Sequence, residues 1–175
     1  MLGSPGAGKG TQAQKIVNNF NLNQISTGNL LRNEIKNKTE IGKEIENIIS
    51  KGDFATDDIV IRLLNKVVKK PNIRNKIIFD GYPRNLNQAE SLELILNSDN
   101  QSINYILFLN VPRNIIEKRI LGRITCEICN KSYNEFIDIK KIENHKCGSK
   151  HLKKRNDDNH EVLINRYDEY MKKTK

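Results

Sequence analysis

The first residues of the chain have the types and spacing of a phosphate-binding loop. Four glycines are interspersed with small residues in the stretch GSPGAGKGT, and Lys9 lies near its end. Glycines allow successive backbone N–H groups to point at phosphate oxygens, and the lysine supplies a cation for the β- and γ-phosphates. Gly10 follows Lys9 directly, so the hydroxyl that ligates magnesium in the usual form of this loop is found only at Thr11. The pattern predicts a nucleoside triphosphate site formed by Gly3, Gly6, Ala7, Gly8, Lys9, Gly10 and Thr11.

A loop of this kind lies between a strand and a helix. Apolar residues recur at helical spacing from Ala13 to Phe20, so the loop is predicted to open a helix. The runs KIIFDGYPR and INYILFLNV are predicted to be buried strands, since the second is nearly all apolar and such runs are typical of parallel sheets covered on both faces. Strands alternating with helices indicate an α/β fold of the P-loop NTPase type, in which a parallel sheet is flanked by helices and ligands bind at the carboxyl ends of the strands.

Three further helices are marked by their ends. A short strand ending near Ile25 is followed by Ser26 or Thr27 as the cap of one helix. Gly52 is predicted to stop a second helix, and Thr56 to cap a longer third one. From CEIC onward the sequence is polar and low in helical periodicity, which predicts a separate small lobe.

The composition indicates one compact domain with phosphate-bearing partners. The chain has 175 residues, and its 30 Lys and Arg against 21 Asp and Glu give a net charge of +9. AT-rich codon usage accounts for part of this excess, because Lys, Asn and Ile are all abundant. No run approaches the roughly 20 apolar residues of a membrane span, and no secretion signal is recognisable. Three cysteines cannot all pair, which favours a reducing compartment, so we expect a cytoplasmic protein, with an organellar location as the alternative.

Five motifs carry a resemblance to a known family. The stretches GSPGAGKGTQ, ISTGNLLR, FDGYPRNLNQAE, RILGR and RNDDN follow one another in the order and approximate spacing seen in adenylate kinases. The match extends over nearly the whole chain, and each motif is fairly specific. The chain resembles the long-lid type of the family, which implies a P-loop core with a helical lobe for the nucleoside monophosphate (NMP) and a small lid.

The resemblance also implies where these parts begin and end. The segments are the P-loop and first helix at 1–25, the NMP-binding lobe at 26–55, further core at 56–121, the lid at 122–158 and a core helix at 159–175. The family's first strand is represented only by Met1 and Leu2, and its last strand and helix would follow Lys175. We therefore expect a chain truncated at both ends.

The reaction implied by the resemblance is the reversible, Mg²⁺-dependent transfer of the terminal phosphoryl group of ATP to AMP, giving two ADP. Such a transfer requires two highly charged substrates to be held in line while their charge is neutralised. Arginine suits this role, because its planar guanidinium contacts phosphate through two N–H groups and stays protonated. Catalytic positions of the family are matched by Lys9, Arg84, Arg123, Arg155 and Arg166, and a further phosphate-binding position by Arg32.

The remaining family positions divide between donor, acceptor and metal. Arg119 matches a residue that covers the donor base, and Arg123 contacts the donor phosphates. Asp80 matches the carboxylate that organises magnesium through its waters. Asp157 and Asp158 match lid carboxylates, and the alternative role for both is a salt-bridge hinge that only stabilises closure.

The acceptor pocket implied by the resemblance is specific for AMP. Gln88 falls in the adenine pocket, where an amide can both donate to and accept from an adenine edge, which favours AMP over a pyrimidine monophosphate. Gly81 falls where the backbone must approach the acceptor closely. The AMP-binding positions are Thr27, Gly28, Arg32, Ala55, Gly81, Arg84, Gln88, Arg155 and Arg166.

The lid cysteines resemble those of zinc-bearing members of the family. The run CEIC supplies two thiols and Cys147 a third. Counted forward from CEIC, Cys147 is the third ligand and His151 is the fourth. Counted backward from RNDDN, Cys147 is the fourth ligand, which leaves Asn144 at the third place, with His145 as a nearby substitute. We favour a structural zinc site formed by Cys126, Cys129, Cys147 and His151. A metal-free lid is the alternative.

Other functions stay open from the sequence alone. The donor could be GTP, and a truncated chain could bind nucleotide without catalysis. The basic charge and CEIC would also suit a zinc-ribbon nucleic-acid binder, although Tyr133 and Phe136 are its only candidate stacking platforms. The favoured partners are ATP, AMP and ADP; we expect a monomer that binds neither nucleic acid nor membrane.

Overall fold

The computed structural model describes residues 1–51 and 53–175, so the predicted helix stop at Gly52 lies outside the described residues. The helices are α1 (Lys9–Phe20), α2 (Thr27–Lys36), α3 (Glu40–Ser50), α4 (Asp57–Val68), α5 (Leu86–Asn97), α6 (Arg113–Leu121), α7 (Ile139–Glu143) and α8 (His160–Lys173). The strands are β1 (Leu2–Gly3), β2 (Asn23–Ser26), β3 (Ile77–Asp80), β4 (Phe108–Leu109), β5 (Arg123–Cys126), β6 (Ser132–Asn134) and β7 (Leu152–Lys153). None of these helices is long and apolar enough to cross a membrane.

Parallel strands alternating with helices confirm the α/β class. β1 pairs with β4 and β2 pairs with β3, both in parallel. Backbone hydrogen bonds from Met1 to Phe79 and from Gly81 to Met1 connect the two pairs, at 2.6 and 3.4 Å. The polar segment after α6 forms a separate antiparallel sheet with β5 between β6 and β7. The carboxyl ends of β1 and β3 therefore open toward the same side, where a ligand would bind.

Two apolar clusters hold the helices in place. The larger one lies among α2–α5 and includes Ile45 and Leu64, both fully buried. A smaller one joins α6 to α8 through Ile116 and Leu163. The N-cap of α2 is Ser26, whose hydroxyl accepts a hydrogen bond from the Asn29 amide, which decides between the two predicted caps.

The strand predicted in INYILFLNV is shorter and more exposed than expected. Only Phe108 and Leu109 form a strand, and Tyr105, Ile106 and Phe108 expose 87%, 71% and 55% of their surface. The prediction assumed a sheet covered on both faces. Among the described residues, this segment pairs only with the two-residue β1, so its apolar side chains remain accessible.

The turn between α2 and α3 brings two helix backbones close together at Gly42. A Cβ at this position would lie 2.1 Å from the carbonyl oxygen of Glu34, nearer than any side chain can approach. Thr39 reinforces the turn, because its hydroxyl accepts from the Gly42 amide at 3.0 Å and donates to the Glu34 carboxylate at 2.6 Å.

We predict that Gly42→Ala lowers the free energy of unfolding by about 1–3 kcal/mol, the usual cost of overpacking. Helix propensity alone would give the opposite sign, since Ala is favoured over Gly by about 1 kcal/mol in a helix. Lys43→Ala, at the exposed neighbouring position, is the matched control and should change stability by less than about 0.5 kcal/mol. Urea denaturation followed by circular dichroism measures both; an unchanged or stabilised Gly42→Ala would contradict the close approach.

Candidate active site

The glycine-rich segment forms a loop between β1 and α1 whose backbone N–H groups are available to an anion. α1 begins at Lys9 without a side-chain cap, since its N-cap residue is Gly8. Gly6 and Gly8 have φ angles of 74° and 93°, which other residues rarely adopt. A Cβ on Gly6 would also lie 2.8 Å from Ile120. The uncapped N-terminus of α1 and its dipole therefore offer an anion site at the predicted place.

The ammonium group of Lys9 lies within this loop. It donates hydrogen bonds of 2.8 Å to the carbonyl oxygens of Gly3 and Ser4. The pKa of Lys9 is lowered to about 8, chiefly by burial and then by the nearby Arg84 guanidinium, while Asp80 opposes the shift. An incoming phosphate would favour the charged form of this lysine.

Five arginines from separate parts of the chain converge on the same cleft. They are Arg32, Arg84, Arg123, Arg155 and Arg166. Asp157 accepts a hydrogen bond from Arg166 at 2.5 Å and lies 3.9 Å from the Arg32 guanidinium. Asp158 accepts from the Nε of Arg123 at 2.7 Å. The two lid carboxylates thus neutralise part of the positive charge.

The other two arginines make no ion pair within 4.0 Å among the described residues. Arg84 donates from Nε to the carbonyl oxygen of Gly81 at 2.8 Å. Burial lowers the pKa of Arg84 and of Arg155, and neighbouring arginines lower both further. The pKa falls to about 10 for Arg84 and to about 9 for Arg155, and since both values lie above neutral pH, both guanidinium groups remain protonated. The cleft therefore carries uncompensated positive charge that phosphates can balance.

The predicted acceptor residues lie together in the cleft, beside Arg32 and Arg84. Thr27 donates from its hydroxyl to the Gly81 carbonyl at 3.2 Å, and Gln88 is only 2% exposed. Gly28 lies against Arg32, since a Cβ there would be 3.1 Å from Nη2. This side of the cleft combines a buried amide with two close backbone approaches.

Asp80 is positioned at the carboxyl end of β3, beside the phosphate loop. Its Oδ2 accepts a hydrogen bond of 2.8 Å from Gln24 and would lie 3.3 Å from a Cβ at Gly10. The glycine that departs from the usual loop pattern thus leaves room for this carboxylate, while Thr11 is exposed. One carboxylate next to a phosphate site fits Mg²⁺, which keeps several waters and takes few protein ligands.

A single cleft of about 460 Å³ contains every residue predicted to contact nucleotide. Arg119 donates to the carbonyl oxygen of Ala7 at 3.2 Å on the outer side of the loop. Tyr133 and Asn134 of the small antiparallel sheet line the same cleft. That sheet therefore forms part of the wall of the cleft.

The three cysteines come together, but their fourth partner is His145 and not His151. Four candidate ligand atoms, from Cys126, Cys129, His145 and Cys147, lie within 4.8 Å of one another. Residue 145 reaches the cluster because α7 ends in a turn that reverses the chain, and its Nδ1 lies 2.9 Å from the Tyr133 hydroxyl. The preference for His151 is corrected.

His151 belongs to the adjoining strand pair. Its carbonyl oxygen accepts from the Glu127 amide at 3.0 Å, directly before β7 pairs with β5. The backward count offers His145 as a substitute, but spacing along the chain does not decide between the two histidines, because α7 and the turn after it could not be placed from the sequence.

The ionisation of the thiols differs within the cluster. Burial raises the pKa of Cys126, but hydrogen bonds from the Cys129 backbone and from His145 outweigh it and lower the pKa to about 6. Burial and the neighbouring thiols raise the pKa of Cys147 to about 11. Three thiols and one imidazole within 4.8 Å of one another are compatible with a Zn²⁺ site.

Two residues of the site, Phe54 and Asp57, were not predicted from the sequence. The carboxylate of Asp57 accepts a 2.6 Å hydrogen bond from the Gln88 side chain. The guanidinium carbon of Arg84 lies over the ring of Phe54, 4.4 Å from the ring centroid. Neither belongs to a motif quoted above, and the contact between Asp57 and Gln88 joins residues 31 positions apart.

Comparison with known proteins agrees with this geometry. The adenylate kinase family model matches residues 1–175. The adenylate kinase of Pelagibacter ubique is 57% identical over 175 residues, which cover 100% of this chain and 82% of that protein. The adenylate kinases of Zymomonas mobilis subsp. mobilis and Listeria monocytogenes serotype 4b are 38% and 36% identical, and the matches cover 99% and 100% of this chain and 79% and 82% of the relatives. The chain belongs to the adenylate kinase family and is a nucleoside monophosphate kinase, which transfers a phosphoryl group between ATP and AMP.

Proposed function

We propose that the cleft holds ATP on the phosphate loop and AMP on the Thr27–Gln88 side, with the cations between them at the transferred phosphoryl group. The observation that carries this assignment is the convergence of Lys9 and five phosphate-site arginines, of which Arg84 and Arg155 have no carboxylate within 4.0 Å among the described residues. A phosphoryl group in transfer spreads negative charge over its oxygens, and fixed cations stabilise that charge without having to reorganise.

The roles of individual residues follow from their positions. Lys9 and the N-terminus of α1 bind the donor phosphates, and Arg32 and Arg84 orient the acceptor phosphate. Asp80 would hold Mg²⁺ through water, and the ion would neutralise developing charge on the donor phosphates. The lid, proposed as residues 122–158, covers the cleft and excludes water that would otherwise hydrolyse the triphosphate.

One chain supplies all of these groups. The phosphate loop, α2, the lid and α8 each contribute a cation to the same cleft. We infer a catalytic unit that is a monomer, because no second copy is required to complete the site.

We further propose that the lid binds structural Zn²⁺ through Cys126, Cys129, His145 and Cys147. This donor set has no place for a substrate, since four protein ligands complete a tetrahedron. The ion would fix the antiparallel sheet that carries Arg123 and the cleft-lining Tyr133. The metal therefore stabilises the lid and takes no part in phosphoryl transfer.

Arg84→Ala should lower kcat/KM for ADP formation from ATP and AMP by at least about 100-fold, because it removes a fixed cation from the transition state. Arg84→Lys keeps the positive charge but loses the planar guanidinium contact. Its kcat/KM should therefore lie between that of the wild type and that of Arg84→Ala. Arg62→Ala is the matched control, since Arg62 is 52% exposed and pairs with Asp58 on the surface of α4. Steady-state assays with ATP and GTP as donors measure the effect. Retention of full activity by Arg84→Ala would overturn the assignment.

The affinity for ATP should fall as the pH rises above about 8, because free Lys9 loses its proton near that value and the phosphates bind the ammonium form. The expected slope approaches about tenfold per pH unit. Isothermal titration between pH 7 and 9.5 measures it, and circular dichroism checks that the protein stays folded. Lys9→Gln should bind more weakly and lose the additional slope; equal slopes for both proteins would assign the titration to another group.

The metal assignment predicts about one equivalent of zinc in the purified protein by mass spectrometry. Cys129→Ser or His145→Ala should lose the metal and lower the melting temperature. His151→Ala is the matched control and should retain it. Zinc loss in His151→Ala with retention in His145→Ala would restore the ligand set predicted from spacing, and no zinc in any form would establish a metal-free lid.

A further inference from the structure

Asp57 accepts hydrogen bonds from three side-chain amides at the start of α4. Gln88 donates to Oδ1 at 2.6 Å, Asn87 donates to Oδ2 at 3.1 Å, and Asn85 lies 3.2 Å from both oxygens. Partial burial raises the pKa of Asp57, but these hydrogen bonds outweigh it and the pKa lies below its usual value. The carboxylate therefore remains ionised and can only accept. Asp57 does not itself line the nucleotide cleft, whereas Gln88 does.

The carbonyl end of the Gln88 amide contacts a group that can only donate a hydrogen bond. Its Oε1 accepts a 2.8 Å hydrogen bond from the backbone N–H of Arg84. The two ends of a primary amide are nearly identical in shape and differ only in hydrogen bonding. Turning this amide over would place Oε1 against the Asp57 carboxylate and the NH₂ group against the Arg84 N–H. Both hydrogen bonds would become repulsions, so Asp57 and Arg84 together permit one orientation.

We propose that Asp57 is a positioning residue that sets which base the acceptor pocket takes, by fixing the orientation of the Gln88 amide. The inference rests on the proposed function of Gln88 as the residue that reads the acceptor base. After its contacts to Asp57 and Arg84, the amide retains one N–H and one oxygen lone pair for a ligand. Their order in space is determined by Asp57 together with the Arg84 N–H.

The order of the amide N–H and oxygen matters because adenine and hypoxanthine have almost the same shape but present opposite patterns of hydrogen-bond donors and acceptors. Adenine offers an acceptor at N1 and a donor at N6, while hypoxanthine offers a donor at N1 and an acceptor at O6. An amide held in one orientation pairs with one of these edges and repels the other. A pocket that relies on size alone discriminates poorly between such isosteres, whereas one built on fixed hydrogen bonds rejects the wrong edge strongly.

Asp57 also orients the cap of the helix that carries Gln88. Asn85 turns its Nδ2 toward Asp57, which leaves its Oδ1 to accept from the Gln88 backbone N–H at 2.7 Å and cap α5. A change at Asp57 therefore affects stability as well as recognition. The test must therefore measure the preference between two acceptor bases and not the total activity.

The test compares AMP with IMP as acceptor for the wild type and for Asp57→Asn. An asparagine amide can face Gln88 with either its oxygen or its NH₂ group, so one of the two contacts that fix the Gln88 amide is lost and only the Arg84 N–H still opposes its turning. The ratio of kcat/KM for AMP to that for IMP should fall by at least about tenfold, the effect of one hydrogen bond. We expect KM for AMP to rise more than kcat falls. Where IMP is not phosphorylated, its inhibition constant against AMP supplies the ratio.

Two further variants separate the possible outcomes. Asn87→Ala removes an exposed donor to the same carboxylate and should leave the ratio unchanged, which controls for loss of local stability. Gln88→Leu removes the reading group and should lower the ratio whether or not Asp57 matters. A lower ratio in both Gln88→Leu and Asp57→Asn supports the inference. A lower ratio in Gln88→Leu alone overturns it and leaves the proposed function intact, and no change in either overturns the role of Gln88. Should Asp57→Asn fail to fold by circular dichroism, Asp57→Ala also removes the carboxylate that accepts from Gln88 and serves in its place.

Discussion

The constraint on which the rest of the structure depends is the accumulation of like charge in one cleft. Burial disfavours the charged form of Arg84, and Arg166 and Arg32 add to this effect. These cations repel one another in the free protein, so their arrangement must be held by something other than mutual attraction. The apolar cluster of α2–α5 and the small cluster between α6 and α8 supply that support. A phosphate that enters the cleft relieves the repulsion, so bound nucleotide also stabilises the fold.

Asp157 shows how the fold reduces the repulsion without filling the site. Burial opposes its ionisation, but Arg166 and Arg32 hold the pKa of this carboxyl below its usual range. It joins the segment before α8 to α8 itself and to α2, whereas Asp158 contacts Arg123 at the start of β5. The Asp157 pairs therefore couple the position of that segment to the placement of two cleft-lining arginines.

The parts of the molecule that the sequence predicted are those governed by local chemistry. The phosphate loop, the cap at Ser26 and the helix after Thr56 depend on residues a few positions apart. The exposure of Ile106 was not predictable in this way, because burial depends on which elements cover a strand and not on its own apolar content. Choosing His145 over His151 likewise required the path of α7 and the turn that follows it. Family resemblance located the arginines, but only the fold shows which of them have carboxylate partners.

Residues that orient other residues are the hardest to find in a sequence, and Asp57 illustrates the reason. It contacts Gln88 and the cap residue Asn85, but it does not line the cleft, so no ligand-binding pattern includes it. Its effect arises from an asymmetry of hydrogen bonding: a carboxylate can only accept, a backbone N–H can only donate, and the amide between them must take one orientation. Steric fit cannot supply this information, since both orientations have the same shape. Specificity for an acceptor base can therefore depend on a side chain that never touches the base.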